Sequence, residues 1–131
     1  MAAADNGHGP VLVVDDDPDL LTMVETVLSS AGYQVRTAEN GLEALQQVGR
    51  EMPGIVLLDM KMPVMDGWEF ARRFREQFNH RAPLIVVTAA QDARTWAKQV
   101  GAEGYLSKPF DLDDLLTCVE DHLPSRCSDA P

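Results

Sequence analysis

Three stretches of the chain are apolar at every position: Val11 to Val14, Ile55 to Leu58 and Leu84 to Val87. A strand with one wet face alternates apolar and polar residues. Unbroken, mostly β-branched runs of this length therefore predict strands covered on both faces, as in a parallel sheet. Two less regular runs, Gln34 to Thr37 and Gly104 to Ser107, are weaker strand candidates. Between the five lie segments of helical period. Leu20, Leu21, Val24, Val27 and Leu28 form one apolar stripe, with Asp17 placed to cap it, Pro18 in its first turn and Gly32 to end it. Leu42, Leu45 and Val48 form a short second stripe, and Phe70, Ala71, Phe74 and Phe78 a third that opens after Asp66-Gly67. A fourth helix is predicted over Gln91 to Val100, stopping at Gly101. A fifth opens near Asp111 and turns Leu112, Leu115, Leu116, Val119 and Leu123 inward. Strand–helix alternation repeated five times predicts an α/β domain: a parallel sheet, right-handed crossovers, helices on both faces. That domain spans residues 10–123; the small or polar residues 1–9 and 124–131 are expected to be flexible tails.

Composition narrows the partners. The 131 residues suit one domain, and 45% hydrophobic content is enough for a core. Twenty-one Asp and Glu against 11 Lys and Arg give a net charge of -10, which phosphate backbones and anionic lipid repel. Neither a nucleic acid nor a membrane is expected as a partner. The apolar runs are far too short to span a bilayer, and the N-terminus lacks the basic-then-apolar pattern of a secretion signal, so the cytoplasm is the expected location. Cys118 and Cys127 make neither a metal pair nor a redox motif, and His8, His80 and His122 show no ligand spacing.

The candidate chemistry is concentrated at strand ends. Asp15, Asp16 and Asp17 follow the first strand, Asp59 ends the third, Thr88 ends the fourth and Lys108 follows the fifth. In a doubly wound sheet all of these sit at the carboxyl edge, where ligands bind. Carboxylates gathered there cannot all ionise unless positive charge joins them. Lys108 supplies one charge, and a hard divalent cation, Mg²⁺ or Mn²⁺, is the natural second partner. Mg²⁺ takes few protein ligands, keeps several waters and shares phosphoryl oxygens. The central carboxylate, Asp59, would then act as a nucleophile toward phosphorus, with the metal and Lys108 neutralising charge. Asp17 reads instead as a helix cap, Asp66-Gly67 as a turn and helix start, and Pro63 as a loop-shaping residue.

VLVVDDDP, IVLLDMKMPVMDG, VVTA and YLSKPF, in this order and spacing, resemble the receiver domain of two-component response regulators. The resemblance runs from Val11 to Leu123. It implies a flavodoxin-like, CheY-like fold of five βα units with strand order 2-1-3-4-5. It also implies that Asp59 is the phosphoacceptor, that Asp16 and Asp59 bind the metal directly, that Asp15 holds it through water, and that the Lys61 carbonyl completes the protein ligands. Lys108 would pair with the phosphoryl group, and the Lys108-Pro109 bond would be cis. Thr88 would turn its hydroxyl to the phosphoryl group while Tyr105 swings inward behind it, repacking the face made by the fourth helix, fifth strand and fifth helix. The implied partners are a sensor histidine kinase or phosphotransfer protein upstream and a protein target on that face. Such a chain catalyses only its own phosphorylation and dephosphorylation and is not a turnover enzyme.

Four further points follow from particular residues. The residues two past Asp59 and two past Thr88 are Lys61 and Ala90; Ala90 has nothing to orient an attacking water and the Lys61 stem would partly cover its path, so a slowly decaying phosphoryl group is expected. No room for an output domain follows Leu123, which fits either a stand-alone receiver or a piece of something larger. Arg94 and Lys98 against Asp113 and Asp114 would suit a phosphorylation-dependent homodimer, but solvated faces are the usual case. Trp96 stays open between core packing and an exposed partner anchor, since Ala93, Ala97 and Val100 form an inward stripe without it. Two other functions compete. A haloacid-dehalogenase-like phosphohydrolase would need a D-x-D-x-T pattern, which Asp15 to Asp19 lacks. A scaffold that is never phosphorylated would have had no need of the acceptor, the acidic pair and the lysine together.

Overall fold

A computed structural model describes residues 9–79 and 82–123. The expected tails, apart from Gly9, lie outside the described residues, as do His8, His80 and Cys127. The element order is β1 (Val11–Val14), α1 (Pro18–Ser30), β2 (Val35–Ala38), α2 (Gly41–Arg50), β3 (Ile55–Leu58), α3 (Gly67–Phe78), β4 (Leu84–Ala89), α4 (Ala90–Val100), β5 (Gly104–Lys108) and α5 (Leu112–His122). All neighbouring strands pair in parallel, in the order β2-β1-β3-β4-β5.

The unbroken apolar runs have the predicted cause. Because side chains alternate across a strand, Leu12, Val14, Val56, Leu58, Leu84 and Val86 join α2, α3 and α4 in one core layer. Their sequence neighbours Val11, Val13, Ile55, Leu57, Ile85 and Val87 join α1 and α5 in the other. Every residue of β1 and β3 is buried, and none is free to be polar.

Caps set the helix starts. Asp17 accepts from the Asp19 and Leu20 N–H groups, Asp66 from the Glu69 N–H and Asp111 from the Asp114 N–H, each satisfying a donor that the helix itself leaves unpaired. Left-handed Gly101 closes α4, and Gly32 follows the end of α1 with positive φ.

Two expected inward residues face solvent. Leu42 and Leu112 are exposed because each lies in the first turn of its helix at the margin of the buried stripe. Gly41, Ala44, Leu45 and Val48 form the inner face of α2, and Leu115, Cys118 and Val119 that of α5. Several boundaries shift. β2 starts one residue later than predicted, β4 runs on through Thr88 to Ala89, and Lys108 closes β5 rather than following it. Parallel pairing of Thr88 with Ser107 and of Ala89 with Lys108 draws the polar Thr88, Ser107 and Lys108 into the sheet.

Candidate functional site

The order of strands reverses at β1, which lies between β2 and β3, and that switch point opens a crevice at the carboxyl edge. Asp15 leaves β1 and Asp59 leaves β3. Their main chains are fixed by ladder-like bonds, Asp15 N–H to the Ala38 carbonyl at 3.0 Å and Asp59 N–H to the Val14 carbonyl at 2.9 Å. The Asp17 N–H then bonds Asp15 Oδ1 at 2.9 Å, so the turn into α1 aims that carboxylate into the crevice. On the far side α3 starts almost on top of β3. A Cβ at Gly67 would stand 2.8 Å from the Asp59 carbonyl oxygen and 2.7 Å from Met60 Cα, so only glycine allows this approach.

The outcome is a compact acidic cluster. Carboxylate oxygens of Asp15, Asp16 and Asp59 all lie within 4.8 Å of one another. Asp15 is 1% exposed and Asp59 6%, whereas Asp16 is open to solvent. Two ionised carboxylates at that separation repel by about 3 kcal/mol at an effective dielectric of about 20. The Lys108 ammonium reaches across from β5, 2.9 Å from Asp15 Oδ2 and 3.8 Å from Asp59 Oδ1. It thus hydrogen-bonds Asp15 and only faces Asp59.

Protonation follows from this geometry. Burial first, and then the Asp15 charge, push Asp59 from 3.8 up to about 6, against the pull of Lys108 and of a backbone hydrogen bond from Lys61. For Lys108, burial favours the neutral amine, but the Asp15 hydrogen bond and the charges of Asp15, Asp59 and Asp16 outweigh it and hold the ammonium above its ordinary value. Three carboxylates facing one ammonium leave the cluster negative. Hard oxygen donors at this spacing, partly open to solvent, fit a hydrated divalent cation such as Mg²⁺.

The other predicted residues fall around this centre. Thr88 is buried near the end of β4. Tyr105, on the edge strand, pairs in register with Val86 and is 46% exposed, the outward position from which an inward swing would start. The Lys108-Pro109 peptide is cis. Lys61 follows Asp59 in the β3–α3 loop. The cysteine and histidine of α5 have structural settings: burial first, and then Asp121, raise the Cys118 thiol to about 11, and His122 Nδ1 meets the Cys118 carbonyl at 2.9 Å.

Sequence reasoning missed how Lys61 is used. Its ammonium stands 5.3 Å from the ring centroid of Trp96 on α4, a cation–π arrangement. Trp96 in turn meets Trp68 of α3 edge-on at 4.8 Å, and Trp68 Nε1 donates to Gln99 Oε1 at 3.0 Å. Trp96 is therefore neither a core residue nor a free anchor but half of a half-buried aromatic pair bridging α3 and α4. No spacing rule reveals this, because the partners lie 35 residues apart, from position 61 to position 96.

Comparison with known proteins agrees with this architecture. The family model of the response regulator receiver domain matches residues 11–120. Sporulation initiation phosphotransferase F of Bacillus subtilis is 38% identical over 118 residues, which cover 88% of this chain and 94% of that protein. The DNA-binding transcriptional regulator NtrC of Escherichia coli is 39% identical over 115 residues, covering 86% of this chain but only 24% of that longer protein. Among solved structures, Vibrio cholerae chemotaxis protein CheY4 superposes with a TM-score of 0.80 at 36% identity over 88% of this chain and 98% of that one. A putative response regulator from Chloroflexus aurantiacus gives 0.81 at 36% identity, over 88% and 97%. With the order β2-β1-β3-β4-β5 and an acidic crevice at the switch point, the chain belongs to the response regulator receiver domain family, the CheY-like module of phosphorelay signalling.

Proposed function

We propose that Asp59 accepts a phosphoryl group from a phosphohistidine and that the charge so added switches the α4-β5-α5 face. The observation that carries this reading is the placement of Asp59 itself: nearly buried, between two further carboxylates and one ammonium. An Asp59 carboxylate oxygen attacks phosphorus as the phosphorus–nitrogen bond of the donor breaks, and its electron pair returns to the imidazole. The nucleophile must be ionised, which burial resists and the Lys108 charge favours. The Lys108 ammonium, now on Asp15, is within reach of an oxygen placed on Asp59. The Thr88 hydroxyl and the Tyr105 ring then supply the two-state element.

Asp16 and Asp59 would hold Mg²⁺ or Mn²⁺ directly, with Asp15 through water and the Lys61 carbonyl as the remaining protein ligand. The cation, when bound, offsets the carboxylate charges and the charge on the phosphoryl oxygens. The chain's own catalytic contribution is confined to its own phosphorylation and dephosphorylation. The upstream partner is a sensor histidine kinase or phosphotransfer protein, the downstream one a protein on the α4-β5-α5 face. No helix among the described residues is long and apolar enough to cross a membrane, and the acidic charge disfavours nucleic acid, which supports a cytoplasmic setting.

Beryllofluoride, which mimics an acyl phosphate, tests the switch without a kinase. With Mg²⁺ it is expected to shift the NMR resonances of Thr88 and Tyr105 in the wild-type chain and to leave Asp59→Asn unchanged. An unaltered spectrum of the wild-type chain would contradict the reading.

A further inference from the structure

The amino edge of the sheet, at the opposite end from Asp59, carries a second concave site. A cavity of about 200 Å³ lies there on the side covered by α2. Its floor is apolar and buried, made by Pro10, Leu12 and Pro53. Its rim is polar and carries Arg36, Gln47, Arg50 and Glu51.

The walls follow from the fold. Arg36 pairs in register with Leu12, so both side chains leave the sheet on the face that α2 covers. Helix α2 ends at Arg50, and the extended Glu51 leads the chain away toward Pro53. The Gly54 N–H donates to the Pro10 carbonyl at 2.9 Å and ties the two proline-bearing segments together. Gln47 Nε2 donates to the Thr37 carbonyl, also at 2.9 Å, and pins the helix to the edge strand.

Charge distinguishes this cavity from the rest of the molecule. The chain has a net charge of -10, yet here two guanidinium groups stand against one carboxylate. Arg36 Nη2 meets Glu51 Oε1 at 3.2 Å, but both side chains are about half exposed, so solvent screens the pair and neither partner is held firmly. Arg50 makes no ion pair among the described residues. An arginine in the last turn of a helix has the dipole to favour it. Arg36 has no such reason: beside Leu12, on the face that α2 covers, an apolar residue would extend the core.

We propose that this cavity binds a small organic carboxylate, its charged head between Arg36 and Arg50 and its apolar body on Pro10, Leu12 and Pro53. A guanidinium offers paired N–H donors that match the two oxygens of a carboxylate. Glu51 disfavours a dianion, and the apolar floor gives inorganic phosphate nothing to bury. Size sets the body: a cavity of about 150 Å³ takes benzene, so this one suits a single ring or a short branched chain. The site is independent of Asp59 and of the reading given to it.

Backbone amide NMR of the full chain, titrated with benzoate, benzyl alcohol and inorganic phosphate, tests this. Benzoate is expected to move the amide resonances of residues 36 and 47–51 along saturable curves with half-saturation at about 10 mM or below. Benzyl alcohol, the same ring without the charge, should bind about tenfold more weakly or worse, and phosphate should not saturate. Arg36→Gln and Arg50→Gln should each weaken benzoate binding about fivefold or more. Glu51→Gln, which frees Arg36 and removes a repulsive charge, should strengthen it, and Asp59→Asn should bind as wild type does. All the substituted side chains except Asp59 are exposed, so a dispersed amide spectrum checks that each variant is folded. Absence of a saturable shift with benzoate would overturn the proposal. So would equal binding of benzyl alcohol or of phosphate, unchanged affinity in both arginine variants, or loss of binding in Asp59→Asn.

Discussion

Asp59 is an acid held near its own limit. Its pKa of about 6 lies above the ordinary 3.8, so the folded chain binds more protons than the unfolded chain between those two values. Folding stability contributed by this group is therefore undiminished below about 4 and falls as pH rises to about 6, by an amount on the order of 2–3 kcal/mol. Thermal melts in a chelator from pH 4 to pH 7.5 are expected to show this fall relative to Asp59→Asn, which should be the more stable protein at neutral pH. Added Mg²⁺ should narrow the difference. A wild-type chain at least as stable as Asp59→Asn at neutral pH without metal would contradict the assignment. Lys108 supports the opposite sign. Lys108→Met leaves buried Asp15 without its ammonium and is expected to cost about 1–3 kcal/mol, together with a tenfold or greater slowing of labelling by acyl phosphate. Chemical denaturation and label kinetics on one sample check both.

At the scale of elements, β1, β3 and β4 were legible because burial on both faces leaves an unmistakable apolar run, whereas the edge strands β2 and β5, only partly buried, left a weaker signal. The acidic site was legible for a related reason: its residues terminate those runs, and a parallel sheet brings strand ends together. Other features were not legible. Leu42 and Leu112 carry helical spacing but sit in first turns at the margin of the buried stripe. Lys61, Trp96 and Trp68 meet only because the β3–α3 loop, α4 and α3 pack side by side. Contacts of that kind depend on crossover geometry, which no local pattern records. The chain has just two tryptophans, and they are this pair, so intrinsic fluorescence reads the Lys61 contact directly. A phosphoryl group on Asp59 would offer the Lys61 ammonium a stronger partner than an indole ring. Beryllofluoride with Mg²⁺ is therefore expected to change tryptophan emission in the wild-type chain and much less in Lys61→Met. Equal responses would exclude Lys61 as the link. The approach of α3 to β3 gives a separate expectation. Gly67→Ala forces backbone apart at Met60 and Asp59 and should cost about 1–3 kcal/mol in denaturant melts, while also slowing phosphorylation.

At the scale of the whole molecule, two core layers and an acidic surface surround the proposed acceptor, Asp59. The two core layers fix the strand ends, the strand ends fix the carboxylates, and the surplus of negative charge there suits a cation. Turnover of the phosphoryl group is expected to be slow for the reason already visible in the sequence: the position two past Thr88 is Ala90, and that two past Asp59 is Lys61. Loss of label from the isolated phosphoprotein should take minutes or longer; decay within seconds would contradict this. The central claim, that Asp59 takes a phosphoryl group with the help of a divalent cation, is tested most directly by intact mass. The protein is incubated with Mg²⁺ and acetyl phosphate beside Asp59→Asn and a chelated control. One added phosphoryl group on the wild-type chain alone is the expected result. An adduct of equal yield on Asp59→Asn, or no adduct on any sample, would contradict it.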